Sequence, residues 1–172
     1  MPKQTNGINK KQQIDFAHFL RKFPEVDLPV ILSDDTHHDF SMVNDPLPML
    51  MIEQYILPLE DNEPDDLTEF VACFRIRDTK DFHAIVYWRA ALMDYHYTLA
   101  TFTKKGVLID KRVIAGTYSD GETVTQSVAT IDEELNIYVV SGQAGTIPSQ
   151  YNASSSTAYQ LEILPEGQIV NV

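Results

Sequence analysis

Arg75, Arg77, His83, Tyr87 and Arg89 fall within two neighbouring runs of strand-forming residues, and alternation along a hairpin would bring them to one face. Guanidinium and phenol groups gathered there can grip an anion, because the planar fork of arginine matches carboxylate and phosphate oxygens. Arg75, Arg89, Tyr87 and His83 are therefore the candidate ligand-binding residues. The same arginines could instead be answered from within the chain, by acidic side chains that need a partner.

Other chemistry-bearing groups point less far. The run Asp34-Asp35-Thr36-His37-His38-Asp39 mixes imidazole and carboxylate, but it fits neither the i, i+4 histidine pair of a helical zinc site nor the alternating oxygens of a calcium loop. Glu60-Asp61-Asn62-Glu63-Pro64-Asp65-Asp66 lacks that calcium pattern too, and both runs read as solvated loops. Cys73 with His83 and His96 is the raw material of a thiol nucleophile, yet Cys73 lies in an apolar run without an activating motif. No Gly-x-Ser-x-Gly elbow occurs, and the seven glycines are scattered through turns rather than gathered in a phosphate loop. Asn152-Ala153-Ser154 matches a glycosylation acceptor but carries no weight without a secretory signal. No catalytic residue, metal or cofactor is assigned, and the balance is against an enzyme. A hydrolase using Cys73, or a metal on His37, His38 and Asp39, is the least supported reading.

The elements that must position these residues follow from composition and periodicity. A chain of 172 residues with 44% hydrophobic and 22% charged residues suits one globular domain. No run approaches the roughly 18 apolar residues of a membrane span, and the start of the chain carries no apolar signal core. One cysteine excludes an intramolecular disulfide and fits a reducing, cytoplasmic setting. Residues 1–10 read as a disordered leader and 11–172 as one α+β domain, with an acidic helical and loop part over 11–66 and a sheet over 67–172.

In the first part, apolar spacings of three and four predict a helix over 11–23, stopped by Pro24. An extended stretch over 27–32, a polar loop over 33–39 and a short helix over 45–57 follow, the last halted by Pro58. Beyond Leu67, runs rich in Val, Ile, Phe, Tyr and Thr predict strands near 68–77, 82–92, 95–103, 107–117, 123–131, 135–141, 157–164 and 168–171. Short polar turns between them predict a twisted antiparallel meander of about seven or eight strands, curling towards a barrel, with the N-terminal helix or helices packed on it. Phe70, Ala72, Phe74 and Ile76 are expected to face inward with Phe82, Ala84, Val86 and Trp88, leaving Cys73, Arg75, Arg77, His83, Tyr87 and Arg89 opposite. Residues 143–156 form a long Ser-rich connection suited to a lid.

Charge is unevenly spread. The net charge is −12, but residues 1–22 carry five bases and one acid while residues 75–172 carry eight bases and eleven acids. Residues 23–74 hold thirteen acids without a single Lys or Arg. Such a balance argues against nucleic acid, whose phosphates require clustered bases. It favours a basic protein partner, met by Asp34, Asp35, Asp39, Asp61, Glu63, Asp65 and Asp66, with Met42, Met49 and Met51 as adaptable apolar contacts.

The stretches Phe19-Leu20-Arg21-Lys22-Phe23-Pro24-Glu25-Val26-Asp27-Leu28-Pro29 and Tyr97-Thr98-Leu99-Ala100-Thr101-Phe102-Thr103-Lys104-Lys105-Gly106-Val107-Leu108-Ile109-Asp110 resemble uncharacterised β-meander proteins of the Bacteroides group of bacteria. The resemblance covers about residues 16–140 and implies a bacterial origin and a helix-plus-meander fold, without an activity. The expected function is a non-enzymatic binding protein with an acidic surface for a basic partner, such as a bacterial immunity protein that neutralises a toxin. The alternative is a small-molecule or anion binding module with a pocket in the curled sheet.

Overall fold

The computed structural model describes residues 13–145 and 156–172. The acidic part contains α1 (Phe16–Leu20), β1 (Glu25–Val26), β2 (Val30–Leu32), α2 (Thr36–Val43) and α3 (Met49–Met51). Helix α3 runs on through a π turn over Ile52–Ile56 and a 3-10 turn over Leu57–Leu59. Eight strands follow: β3 (Glu69–Ile76), β4 (Phe82–Ala90), β5 (Asp94–Thr103), β6 (Leu108–Ser119), β7 (Thr123–Ile131), β8 (Asn136–Gly145), β9 (Thr157–Ile163) and β10 (Ile169–Asn171). The fold is α+β, and the single large sheet has ten strands rather than seven or eight. The two additional strands are β1 and β2, both from the acidic part.

Helix prediction erred where proline and polar residues decide local geometry. Of the helix expected over 11–23, the described residues from 13 on are helical over Phe16–Leu20. The helix expected from residue 45 starts at Met49, after Pro46 and Pro48, and Pro58 enters the 3-10 turn instead of ending the run. The loop expected over 33–39 becomes α2 from Thr36, because the Thr36 hydroxyl accepts the Ser33 N–H at 3.0 Å and Phe40 packs on Phe74. Residues 143–145 belong to β8, and the rest of the expected lid lies outside the described residues except Ser156.

Strands β3 to β10 pair in chain order, each antiparallel to the next, while β1 lies parallel to β3. Strand β6 pairs with β7 only along Gly116–Ser119. Beyond Ser127, β2 takes its place and pairs Val30 with Ile131 and Leu32 with Ala129. The sheet curls so that β10 approaches the first half of β6, where Asp110 Oδ2 accepts the Ile169 N–H at 2.9 Å and Arg112 donates to Asn171 and to the Ile169 carbonyl. These are side-chain contacts, and among the described residues no backbone ladder closes the ring. Gly167 completes the join with φ +98°, its carbonyl accepting the buried Thr101 hydroxyl at 2.6 Å. A Cβ there would stand 2.9 Å from Ile109 and 3.1 Å from Phe82.

Both faces of the central strands are buried. One face, with Phe74, Ala84, Val86, Trp88, Leu99, Ile131, Ile137 and Leu161, fills the inside of the curl. The other, with Ala72, Ile85, Tyr87, Ala100 and Phe102, is covered by Phe19, Phe23, Met51, Ile56 and Leu59 from the helical part. A bulge between Ala72 and Phe74 corrects the expected faces. Ala72 pairs with Tyr87, Phe74 with Val86, and Cys73 turns into the inner core. One extra residue in a strand moves every side chain beyond it to the opposite face. Met51, expected to be exposed, is buried.

Candidate functional site

The strand register draws the polar groups together. Arg89 pairs with His96 and Tyr87 with Thr98 across β4 and β5, on the face that the helical part covers. Leu59, buried against this face, delivers Glu60 onto it. The Tyr87 hydroxyl donates to Glu60 Oε1 at 2.6 Å, and Arg89 Nε lies 3.5 Å from Glu60 Oε2. Arg89 Nη1 reaches Asp94 Oδ2 at 3.7 Å, while His96 stands between the same two carboxylates, 3.1 Å from Asp94 and 4.0 Å from Glu60. The Arg89 and Glu60 side chains are only 9% and 8% exposed. Burial, and then the adjoining Glu60 carboxylate, raise the Tyr87 phenol far above its ordinary pKa, so it stays a hydrogen-bond donor. Arg89 Nε is buried without a hydrogen bond.

A cleft of about 280 Å³ adjoins this network, lined by Glu60, Asp61, Arg89, His96, Lys111 and Arg112 among others. Its bases are already engaged. Lys111 donates to the Leu59 carbonyl and, at 3.2 Å, to Asp61, and Arg112 is bound to β10.

Of the candidate ligand-binding residues, Arg89 lines the cleft and Tyr87 meets it in the buried network behind, whereas Arg75 and His83 belong to neither. Arg75 pairs with Glu25 at 3.5 Å, Arg77 pairs with Glu25 and Asp27, and His83 lies against the Phe16 ring. The acidic segment thus spends four carboxylates, Glu25, Asp27, Glu60 and Asp61, on bases of the sheet. The other nine, Asp34, Asp35, Asp39, Asp45, Glu53, Glu63, Asp65, Asp66 and Glu69, are exposed without an ion pair among the described residues. Sequence reasoning missed Glu60 and Asp94 as parts of a site. The preceding Leu59, buried against the sheet, was the available signal.

The remaining candidates resolve differently. Cys73 is fully buried, and burial pushes its thiol far above the ordinary range, which removes the thiolate a nucleophile needs. His37 stacks on Trp88 at 4.0 Å with ring planes 4° apart, and the His38 ring lies tilted against it at 4.2 Å. Among the described residues, no group of three His, Cys, Asp or Glu converges closely enough to hold a metal ion.

Burial followed by the His38 charge lowers the His37 pKa, against the opposing pull of Asp34 and Asp35, and burial with Lys104 and Arg75 lowers that of His83. A histidine held below its ordinary value near 6.5 resists the proton that the unfolded chain accepts, so stability falls as pH drops below that value. Denaturant titrations from pH 7.5 to 5 should therefore show a decline that a His37→Gln, His83→Gln protein loses in part. An identical decline in that variant would assign the effect to other groups.

Among the described residues no helix is long and apolar enough to cross a membrane. No protein-family model, no curated protein and no solved structure matches the chain, so the comparisons leave the resemblance to Bacteroides-group meander proteins as an expectation.

Proposed function

We propose that this chain is a non-enzymatic binding protein whose acidic segment receives a basic protein partner, in the manner of a bacterial immunity protein that neutralises a toxin. The observation that carries this reading is the set of nine exposed carboxylates left without an ion pair among the described residues. Carboxylates left without a counter-charge can steer and fix a basic partner. Apolar contacts lie among them: Met42, Val43, Met49 and Leu50 are 84%, 82%, 67% and 48% exposed, beside Asp39, Asp45 and Glu53. Flexible methionine on an open surface adapts to a partner's shape. The inside of the curled sheet is filled by packed side chains, which supports a partner over an enclosed ligand. The anion-module reading has less support, since Glu60 and Asp94 already counter Arg89.

The test is capture from the native cell, followed by measured binding of the purified partner. A basic protein is expected, with affinity falling at least about tenfold between 50 and 300 mM salt. Replacing Asp34, Asp35, Asp39 and Asp45 with asparagine should weaken it by a similar factor. Binding that ignores both salt and these substitutions would overturn the reading.

A further inference from the structure

The helical part covers the outer face of β3 to β5, whereas the outer face of β7, β8 and β9 is open: Val140 is 56% exposed, Tyr138 44% and Val128 37%. The register lays this face out in rows. Val128, Val140 and Ala158 pair side by side across the three strands. Ile31, Thr130, Tyr138 and Gln160 form the next row towards the turn between β7 and β8, and Gln126 with Gly142 forms the row on the other side. Gly142 brings no side chain, and a dent of about 260 Å³ opens there, walled by Val124, Gln126, Val128 and Val140.

The outward positions of a solvated antiparallel strand are ordinarily polar or charged. Here, among the described outward residues of β7, β8 and β9, Glu162 at the far end is the one charge, in a chain of net charge −12. That contrast selects the occupant. A basic partner is drawn to carboxylates, which this face barely offers, and an anionic partner finds no base. Two copies of an acidic chain repel wherever their acids meet, and an uncharged apolar face is where they approach without that cost.

We propose that two copies of the chain pack face to face here, about a two-fold axis that crosses the strands beside Val140. Such an axis sets the residue n positions after Val140 in one copy over the residue n positions before it in the other. Val140 meets Val140, Val128 meets Val128, and the Tyr138 ring of each copy stands over the Gly142 dent of the other. A knob and a hollow at equal distances from the axis fill each other twice, as facing side chains of sheets packed about 10 Å apart must do. None of the nine carboxylates of the partner reading lies on this face, so the two proposals stand apart.

The test is sedimentation velocity of the full chain from about 1 to 200 μM. A dimer is expected, with a dissociation constant on the order of 10 μM that tightens severalfold as salt screens the repulsion between the copies. Salt weakens the basic partner's binding instead, so the two readings fail separately. Val140→Lys and Val140→Glu, at an exposed position, should each weaken the dimer at least about tenfold. Neither should change the unfolding midpoint at a concentration where the parent is monomeric. Mixing the two variants should restore pairing, since position 140 faces itself across the axis, and Tyr138→Ala should weaken it about tenfold. A parent that stays monomeric throughout overturns the proposal. So does a dimer that Val140→Lys leaves intact, which would place the contact on another face, or a mixture that pairs no better than either variant alone. A monomeric parent whose unfolding midpoint falls with Val140→Lys assigns the face to the chain's own residues, and one whose basic partner binds the Val140→Glu protein more weakly assigns it to that partner.

Discussion

Replacing Glu60 with alanine is expected to lower the unfolding free energy by about 3–5 kcal/mol, because it strands a buried guanidinium. Arg89, 9% exposed, would keep only Asp94 at 3.7 Å, and the Tyr87 hydroxyl would lose its acceptor. Both losses fall on groups that water barely reaches, so the desolvation already incurred is no longer offset. The converse variant, Arg89→Ala, leaves the Glu60 carboxylate buried and should cost a similar amount. The pair replaced together by Glu60→Leu and Arg89→Met should recover most of the loss, since an apolar pair of similar volume needs no counter-charge. Urea unfolding of the four proteins measures the two losses and the recovery. A Glu60→Ala protein within about 0.5 kcal/mol of the parent would show that water enters the network freely.

Phe19→Ala should cost about 3–5 kcal/mol as well, through packing alone. Phe19 is fully buried, stacks on Tyr55 at 4.6 Å, meets Phe23 edge-on at 5.0 Å and reaches Phe102 of β5. It is the joint of α1, the helical run from Met49 and the sheet. With only five helical residues, α1 has no stability of its own and depends on this contact. Its loss should release α1 first, seen as fast amide exchange over residues 16–23 while the amides of β7 and β8 stay protected. Uniform exchange across the chain would instead mean that the helical cover and the sheet open as one unit.

The strands were legible because each is a run of β-branched and aromatic residues ended by a turn, and all eight expected strands form within a few residues of their predicted bounds. Their faces were legible along β4 and for Phe74 and Ile76 beyond the bulge, whereas Phe70, Ala72 and Cys73 lie on the sides opposite to those expected. Nothing in the composition of Ala72-Cys73-Phe74 announces an extra residue, and its position is fixed by tertiary contacts such as Asn44 Nδ2, which donates to the carbonyls of Ala72 and Cys73. Helix α2 was hidden because Ser33 and Thr36 belong equally to loops and to helix starts. Of the polar network, Arg89 and Tyr87 could be placed together by alternation. Glu60 could not, since its side chain reaches them from a distant segment whose acidic neighbours look like a linker.

The insertion of β2 beside β7 has a consequence for how the chain is made. Val30 leaves the ribosome long before Ile131, and β1 likewise precedes its neighbour β3. The first third of the molecule therefore emerges with its strand partners still unwritten, and must wait in water until the meander behind it has formed. A segment of thirteen acids and no base tolerates that wait, because like charges keep exposed strands from pairing with those of a neighbouring nascent chain. The bases that finally hold it, Arg75, Arg77, Arg89 and Lys111, all arrive later, so the charge pattern also sets the order in which the seam is sewn.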